Sequence, residues 1–212
     1  MNYRDYLQKY IYVIITPIIK VMIKLGFTPN LVTTFGFIGN IIASGFFIMA
    51  SDKTLPDQGT SLIGWGGALL LFAGLFDMID GRLARLGSME SKFGALWDST
   101  LDRYSELFSL FGIVVYFLGT DHLWAGVITF LALVGSIMVS YIRARAEGLK
   151  IDCKVGLMQR PERVVVTALC TIITGLTGNI WWTIGGMILI AVLANITAFW
   201  RVSYCYNVLK DQ

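Results

Sequence analysis

The sequence predicts an all-α integral membrane protein, with six transmembrane helices preceded by an N-terminal amphipathic helix that lies in the interface. Three observations predict it. Hydrophobic residues make up 56% of the 212-residue chain and charged residues only 15%, against about 25% charge in a soluble domain; mean hydropathy is +0.68. Apolar stretches recur between polar links, and at about 20 residues per span the length accommodates six crossings. Basic residues gather on alternate links, the asymmetry that orients membrane proteins.

Residues 2–25 form the first unit. Tyr3, Tyr6, Leu7, Tyr10, Ile11, Ile14, Ile15, Ile18, Ile19 and Met22 recur at helical spacing, with Arg4, Asp5, Lys9, Lys20 and Lys24 mostly between them. Such a helix lies on the membrane rather than across it. Pro17 kinks it, Gly26 ends it, and Thr28-Pro29-Asn30 carries helix-start chemistry. No cleavable leader is expected, because the first apolar stretch contains Pro17, Lys20 and Lys24 and lacks a small-residue cleavage pattern.

Six spans are expected near residues 31–50, 61–83, 93–118, 123–146, 162–177 and 180–204, so that 31–204 forms one bundle and 1–212 a single membrane domain. Fifteen basic residues, from Arg4 and Lys9 through Arg201 and Lys210, then fall on one side, whereas Lys53 falls on the other. The basic side is cytoplasmic by this rule, and both termini with it, in a cell membrane. Trp65, Trp124, Trp181 and Trp182 collect at the outer ends as an aromatic belt. Cys153, Cys170 and Cys205 show neither paired spacing nor a zinc pattern and read as small apolar residues. His122, the one histidine, reads as an outer-interface residue. No nucleic-acid partner is expected.

Four aspartates interrupt this apolar chain. Asp77 and Asp80 are three residues apart near the end of the second span, and Asp98 and Asp102 four apart at the start of the third. Each pair shares a helix face, and the short link makes the two helices antiparallel neighbours whose pairs converge. Gly81, Ala84 and Gly94 keep that face small. Like charges at membrane depth require neutralisation. Four carboxylates suit one or two hard cations such as magnesium, which favours carboxylates together with substrate phosphate oxygens. Two such ions could clamp a phosphoryl displacement, and Arg85 is placed to bind a phosphate. Two rival readings exist. In one, the aspartates pair with Arg82, Arg85 and Arg103 as structural ion pairs. In the other, they line the cation pathway of a carrier or channel, which would require acids at several depths.

The full pattern, Asp-x2-Asp-Gly-x2-Ala-Arg-x8-Gly-x3-Asp-x3-Asp, has every fixed position filled, by Asp77, Asp80, Gly81, Ala84, Arg85, Gly94, Asp98 and Asp102. It resembles the signature of the CDP-alcohol phosphatidyltransferase family. The resemblance implies an enzyme that displaces CMP from CDP-diacylglycerol with the hydroxyl of a second alcohol. It also implies Asp77, Asp80 and Asp98 as metal ligands, with Asp102 as general base close to the metals. Two magnesium ions are implied, with manganese as a substitute. The CDP-lipid set it implies comprises Pro29, Asn30, Thr33, Gly81, Ala84, Arg85, Ser91 and Gly94. A homodimer is implied on the same ground.

A second basic set bears on the acceptor. Arg143, Arg160, Arg163 and Arg201 come from three spans at one level, an arrangement that suits a phosphate on the acceptor. Arg145 is turned about 200° from Arg143 on the helix, so only one of the two faces the pocket. Ser140–Glu147 and Arg160–Arg163 resemble the branch that makes phosphatidylinositol phosphate from inositol phosphate. A glycerol-phosphate acceptor, giving phosphatidylglycerol phosphate, would want a similar pocket, and an archaeal-type ether-lipid donor is also open.

Overall fold

The computed structural model describes residues 15–54 and 56–210. All the regular structure among them is helical: α1 over 15–24, α2 Pro29–Met49, α3 Pro56–Leu86, α4 Lys92–Gly119, α5 Leu123–Gly148, α6 Arg160–Thr177 and α7 Trp181–Leu209. Residues 2–14 of the expected interfacial helix lie outside the described residues. The helices overrun the expected spans by up to five residues at their polar ends, because a helix that satisfies its own backbone need not stop where the apolar stretch stops.

Local chemistry sets the starts. The Thr28 hydroxyl accepts from the Leu31 amide at 3.4 Å and Pro29 opens α2. The Ser91 hydroxyl accepts from the Gly94 amide at 2.9 Å. Gln159 and Glu162 form a reciprocal capping box on α6, in which the Gln159 amide donates to Glu162 at 2.7 Å.

The helices close into a ring. α2 packs on α3 and α4, α4 on α5, α5 on α7, α7 on α6, and α6 on α3. This corrects the expectation that α3 and α4 are direct neighbours: α2 wedges between them, so their aspartates face one another across an opening. The α3–α6 contact is close enough that a Cβ on Gly64 would come within 2.9 Å of the Gly175 Cα, the small-residue packing that membrane helices use. Phe47, Ile63, Leu70, Phe117, Ile184, Met187 and Ile190 fill the interior. Ile19 of α1 packs with Val32 and Leu83, which fixes α1 against α2 and α3.

α2, residues Gly59–Leu86 of α3, α5 and α7 are long and apolar enough to cross a membrane, and the protein is a multi-pass membrane protein. α4 and α6 are less apolar because Asp98, Asp102, Arg103 and Glu106 occupy the first half of one, and Arg160, Glu162 and Arg163 open the other. Trp124 and Trp181 meet with ring centroids 5.8 Å apart, so α5 and α7 begin at the end opposite the aspartates. Lys53 and Asp121 pair at 2.7 Å between the links that follow α2 and α4.

Candidate active site

Two cavities open at the aspartate end. The first, of about 230 Å³, lies between the start of α2, the end of α3 and the start of α4. Pro29, Asn30 and Thr33 border it from α2, Gly81, Ala84 and Arg85 from α3, and Ser91 and Gly94 from the start of α4; Asp80 and Asp98 complete its wall. All eight residues of the expected CDP-lipid set therefore face one space. Gly94 leaves room that a side chain would take, since a Cβ there would lie 3.0 Å from the Ser91 hydroxyl and 3.2 Å from the Asn30 side-chain oxygen.

The second cavity, of about 370 Å³, lies between α4, α5, α6 and α7. Asp98, Asp102, Arg143, Arg160, Arg163 and Arg201 all border it. Asp98 is common to both cavities. Arg145 borders neither, in keeping with its turn away from Arg143.

The aspartates are not alone. The Thr33 hydroxyl lies 2.6 Å from Asp80 Oδ2 and 3.0 Å from the Pro29 carbonyl oxygen. Thr33 thus steadies a carboxylate that is almost wholly buried, a role the sequence did not disclose. Arg160 Nη1 lies 2.6 Å from Asp77 Oδ2 and 2.8 Å from Asp102 Oδ1, so one guanidinium bridges α3 and α4. Arg160, which the sequence reading gave to the acceptor phosphate, thus serves two of the carboxylates in this structure. Arg103 donates to the Ser99 carbonyl on its own helix and lies within electrostatic reach of Asp98.

Arg163 borders the second cavity but is held by a carboxylate of its own. It is 2% exposed and grips Glu106 with Nε at 2.5 Å and Nη2 at 2.9 Å, while Nη1 reaches the Met158 carbonyl at 3.3 Å. Three of its five N–H donors are thus engaged within the protein. Glu106 was absent from the sequence reading, although it stands one turn beyond Asp102 in an apolar helix and an acid there needs a partner. Arg201 is buried, with Nε donating to the Val155 carbonyl at 2.8 Å and Nη1 to the Val139 carbonyl at 2.6 Å. Arg143 lies at the rim, paired with Glu147 at 2.9 Å.

Among the described residues, no three acidic, histidine or cysteine side chains stand in position to hold a metal ion as they are. The donor set nevertheless fits a hard cation. Asp77 lies within electrostatic reach of Asp80, Asp98 and Asp102, all four are oxygen donors, and the gap between two of them is already filled by a positive group.

The family model for CDP-alcohol phosphatidyltransferases matches residues 27–200. The chain belongs to this family. As a CDP-alcohol phosphatidyltransferase it is an enzyme, and the matched stretch holds every residue that borders the two cavities except Arg201. It is 34% identical over 171 residues to the archaetidylinositol phosphate synthase of Methanothermobacter thermautotrophicus, which covers 80% of this chain and 83% of that one. It is 30% identical over 190 residues to the phosphatidylinositol phosphate synthase of Mycobacteroides abscessus, which covers 89% and 82%. Among solved structures, the phosphatidylinositol phosphate synthase of Mycobacterium tuberculosis with CDP-DAG bound superposes with a TM-score of 0.80 at 28% identity, covering 90% of this chain and 92% of that one. The same enzyme in complex with manganese and citrate gives 0.79, also at 28% identity, with 90% and 88% covered.

Proposed function

We propose that this phosphatidyltransferase moves a phosphatidyl group from CDP-diacylglycerol to inositol phosphate, releasing CMP and forming phosphatidylinositol phosphate. The observation that carries this reading is the shared wall at Asp98. A nucleotide–lipid diphosphate in the first cavity and a phosphorylated alcohol in the second would meet at the aspartates. The names of the relatives and the CDP-DAG bound by the structural neighbour support the same pair of substrates.

In this mechanism Asn30, Arg85 and Ser91 hold the nucleotide end, and the small face of Gly81, Ala84 and Gly94 admits the diphosphate. Arg201, with Arg143 at the rim, holds the acceptor phosphate and aims its alcohol at the lipid-side phosphorus. The acceptor oxygen forms the new P–O bond as the bond to CMP breaks, and Asp102 takes the hydroxyl proton. Thr33 keeps Asp80 oriented. Asp77, Asp80, Asp98 and Asp102 would hold two magnesium ions, with manganese as a substitute, which supply charge neutralisation on the diphosphate. Positioning and charge do most of the work.

The reading includes a topology. α2 to α7 all cross the membrane, α4 and α6 turning their charges to the ring interior, and α1 lies in the interface as the exposed end of one domain over 1–212. The aspartate end faces the cytoplasm, as do both termini, which the basic bias supports. A homodimer is part of the proposal on the family resemblance.

The test is CMP release by the purified protein in detergent. Inositol phosphate should give a higher kcat/KM than glycerol 3-phosphate or free inositol. Chelation should abolish activity, and magnesium or manganese should restore it. Asp102→Asn should cost about 10²–10⁴-fold in kcat, the usual weight of a general base. Full activity without metal, or in Asp102→Asn, would sink the scheme; a preference for glycerol 3-phosphate would replace the acceptor.

A further inference from the structure

We infer that Arg160 is an internal counter-cation that sets the metal affinity of the aspartate site: a divalent ion enters by displacing its guanidinium from Asp77 and Asp102. The inference rests on the metal-dependent reading above and concerns what the chain itself puts in the ion's way.

The two arginines that open α6 are held differently. Arg163 is locked, with every nitrogen engaged and almost no exposure. Arg160, one turn earlier, is bound at its tip alone: Nη1 serves both aspartates at 2.6 and 2.8 Å, while its buried Nε has no hydrogen-bond partner. Its side chain is 19% exposed and borders the larger cavity. The tip can therefore leave the carboxylates without dismantling a network, and open space lies beside it. Arg163 holds the helix that carries it in place.

Charge gives the exchange its direction. Asp77 and Asp102 share one guanidinium here, with Asp80 and Asp98 close by, and a divalent ion brings twice its charge to the same oxygens. The freed guanidinium moves into the cavity bordered by Arg201 and the Arg143–Glu147 pair, where the unneutralised Arg201 repels it unless an anion lies beside it. Metal entry therefore prepares the second cavity for a phosphate, and a phosphate there favours metal entry. The two effects must be equal in size.

The experiment measures manganese binding to the full chain in detergent, by the loss of the free-ion paramagnetic resonance signal, with no CDP-lipid present. Arg160→Gln is expected to bind manganese about tenfold more tightly than the natural protein, a factor equal to roughly 1.4 kcal/mol. Asp98→Asn should weaken binding in both backgrounds. Inositol phosphate should raise the manganese affinity of the natural protein and leave that of Arg160→Gln unchanged. The rise in the natural protein stands as a test should Arg160→Gln fail to fold. Equal or weaker manganese binding in a folded Arg160→Gln protein, or no response of the natural protein to inositol phosphate, overturns the inference and leaves the proposed function intact. An absence of manganese binding in the natural protein overturns both.

Discussion

Replacing Glu106 by Gln tests how the site is held. Glu106 and Arg163 are both nearly inaccessible, 5% and 2% exposed at their side chains, and are joined by two hydrogen bonds. Gln keeps the shape and one acceptor oxygen but removes the charge, leaving the buried Arg163 cation without a counter-charge. Removing one partner of a buried ion pair costs about 3–5 kcal/mol. At roughly 2–4 °C per kcal/mol for a chain of this size, the melting temperature should fall by roughly 6–20 °C. The assay is the melting temperature in detergent, read as loss of the monodisperse peak in size-exclusion chromatography after heating. The paired replacement Glu106→Met with Arg163→Met should recover most of the loss, because two apolar side chains of similar volume leave no stranded charge. The paired variant should still show a raised KM for inositol phosphate, because Arg160 would lose the anchor one turn away. A fall under about 2 °C in the single variant, less than 1 kcal/mol on that scale, or a paired variant no more stable than the single one, would refute the reasoning.

Three further outcomes follow from the same geometry. Thr33→Val removes the hydroxyl 2.6 Å from Asp80 while keeping the shape; the metal concentration for half-maximal activity should rise about tenfold, the weight of one hydrogen bond to a charged group. Gly94→Ala places a methyl 3.0 Å from the Ser91 hydroxyl and 3.2 Å from Asn30; steady-state kinetics should show a higher KM for CDP-diacylglycerol with the KM for inositol phosphate unchanged. Arg143→Ala should raise the KM for inositol phosphate by about tenfold, whereas Arg145→Ala, outside both cavities, should leave it as it is.

The helices were legible because their signals are local. Thr28-Pro29 before α2 is such a signal, read directly from the sequence; the Ser91 cap of α4 and the Gln159–Glu162 box of α6 are equally local but emerged only with the structure. The ring was less legible, because chain order suggests neighbours and short links suggest contact. α3 and α4 are joined by the five residues 87–91, yet α2 lies between their faces. No periodicity in α3 or α4 encodes that wedge; it arises from small residues elsewhere, such as Gly36 and Gly39 of α2, where an added Cβ would press on Phe76 and Ala73 of α3. Five members of the first cavity, Gly81, Ala84, Arg85, Ser91 and Gly94, stand within two turns of an aspartate in the chain, whereas Pro29, Asn30 and Thr33 come from a helix more than forty residues earlier and were legible only through the family resemblance. Glu106 was missed because a pattern that ends at Asp102 draws the eye away from the next turn.

The arginines were only half legible, and the reason is electrostatic. The sequence presents acids and bases as two sets and invites two sites, one for metal and one for phosphate. In a low-dielectric interior the sets share a single charge balance. Arg163 is neutralised by Glu106, and Arg160 is divided between Asp77 and Asp102. Arg201 is the exception: it is buried, its hydrogen bonds go to the Val155 and Val139 carbonyls, and it has no ion pair among the described residues. Carbonyl oxygens satisfy its donors without cancelling its charge, so a buried cation stands over the second cavity and gains most from an anion placed there. All four arginines border the second cavity, and in the proposed mechanism the acceptor phosphate falls first to Arg201, with Arg143 at the rim, and to Arg160 once its carboxylates have another cation. Arg201→Gln separates this from a packing role. Gln keeps donors for a carbonyl and removes the charge, so the KM for inositol phosphate should rise by about tenfold or more, with the KM for CDP-diacylglycerol unchanged. Equal effects on the two substrates would return Arg201 to the framework of the bundle.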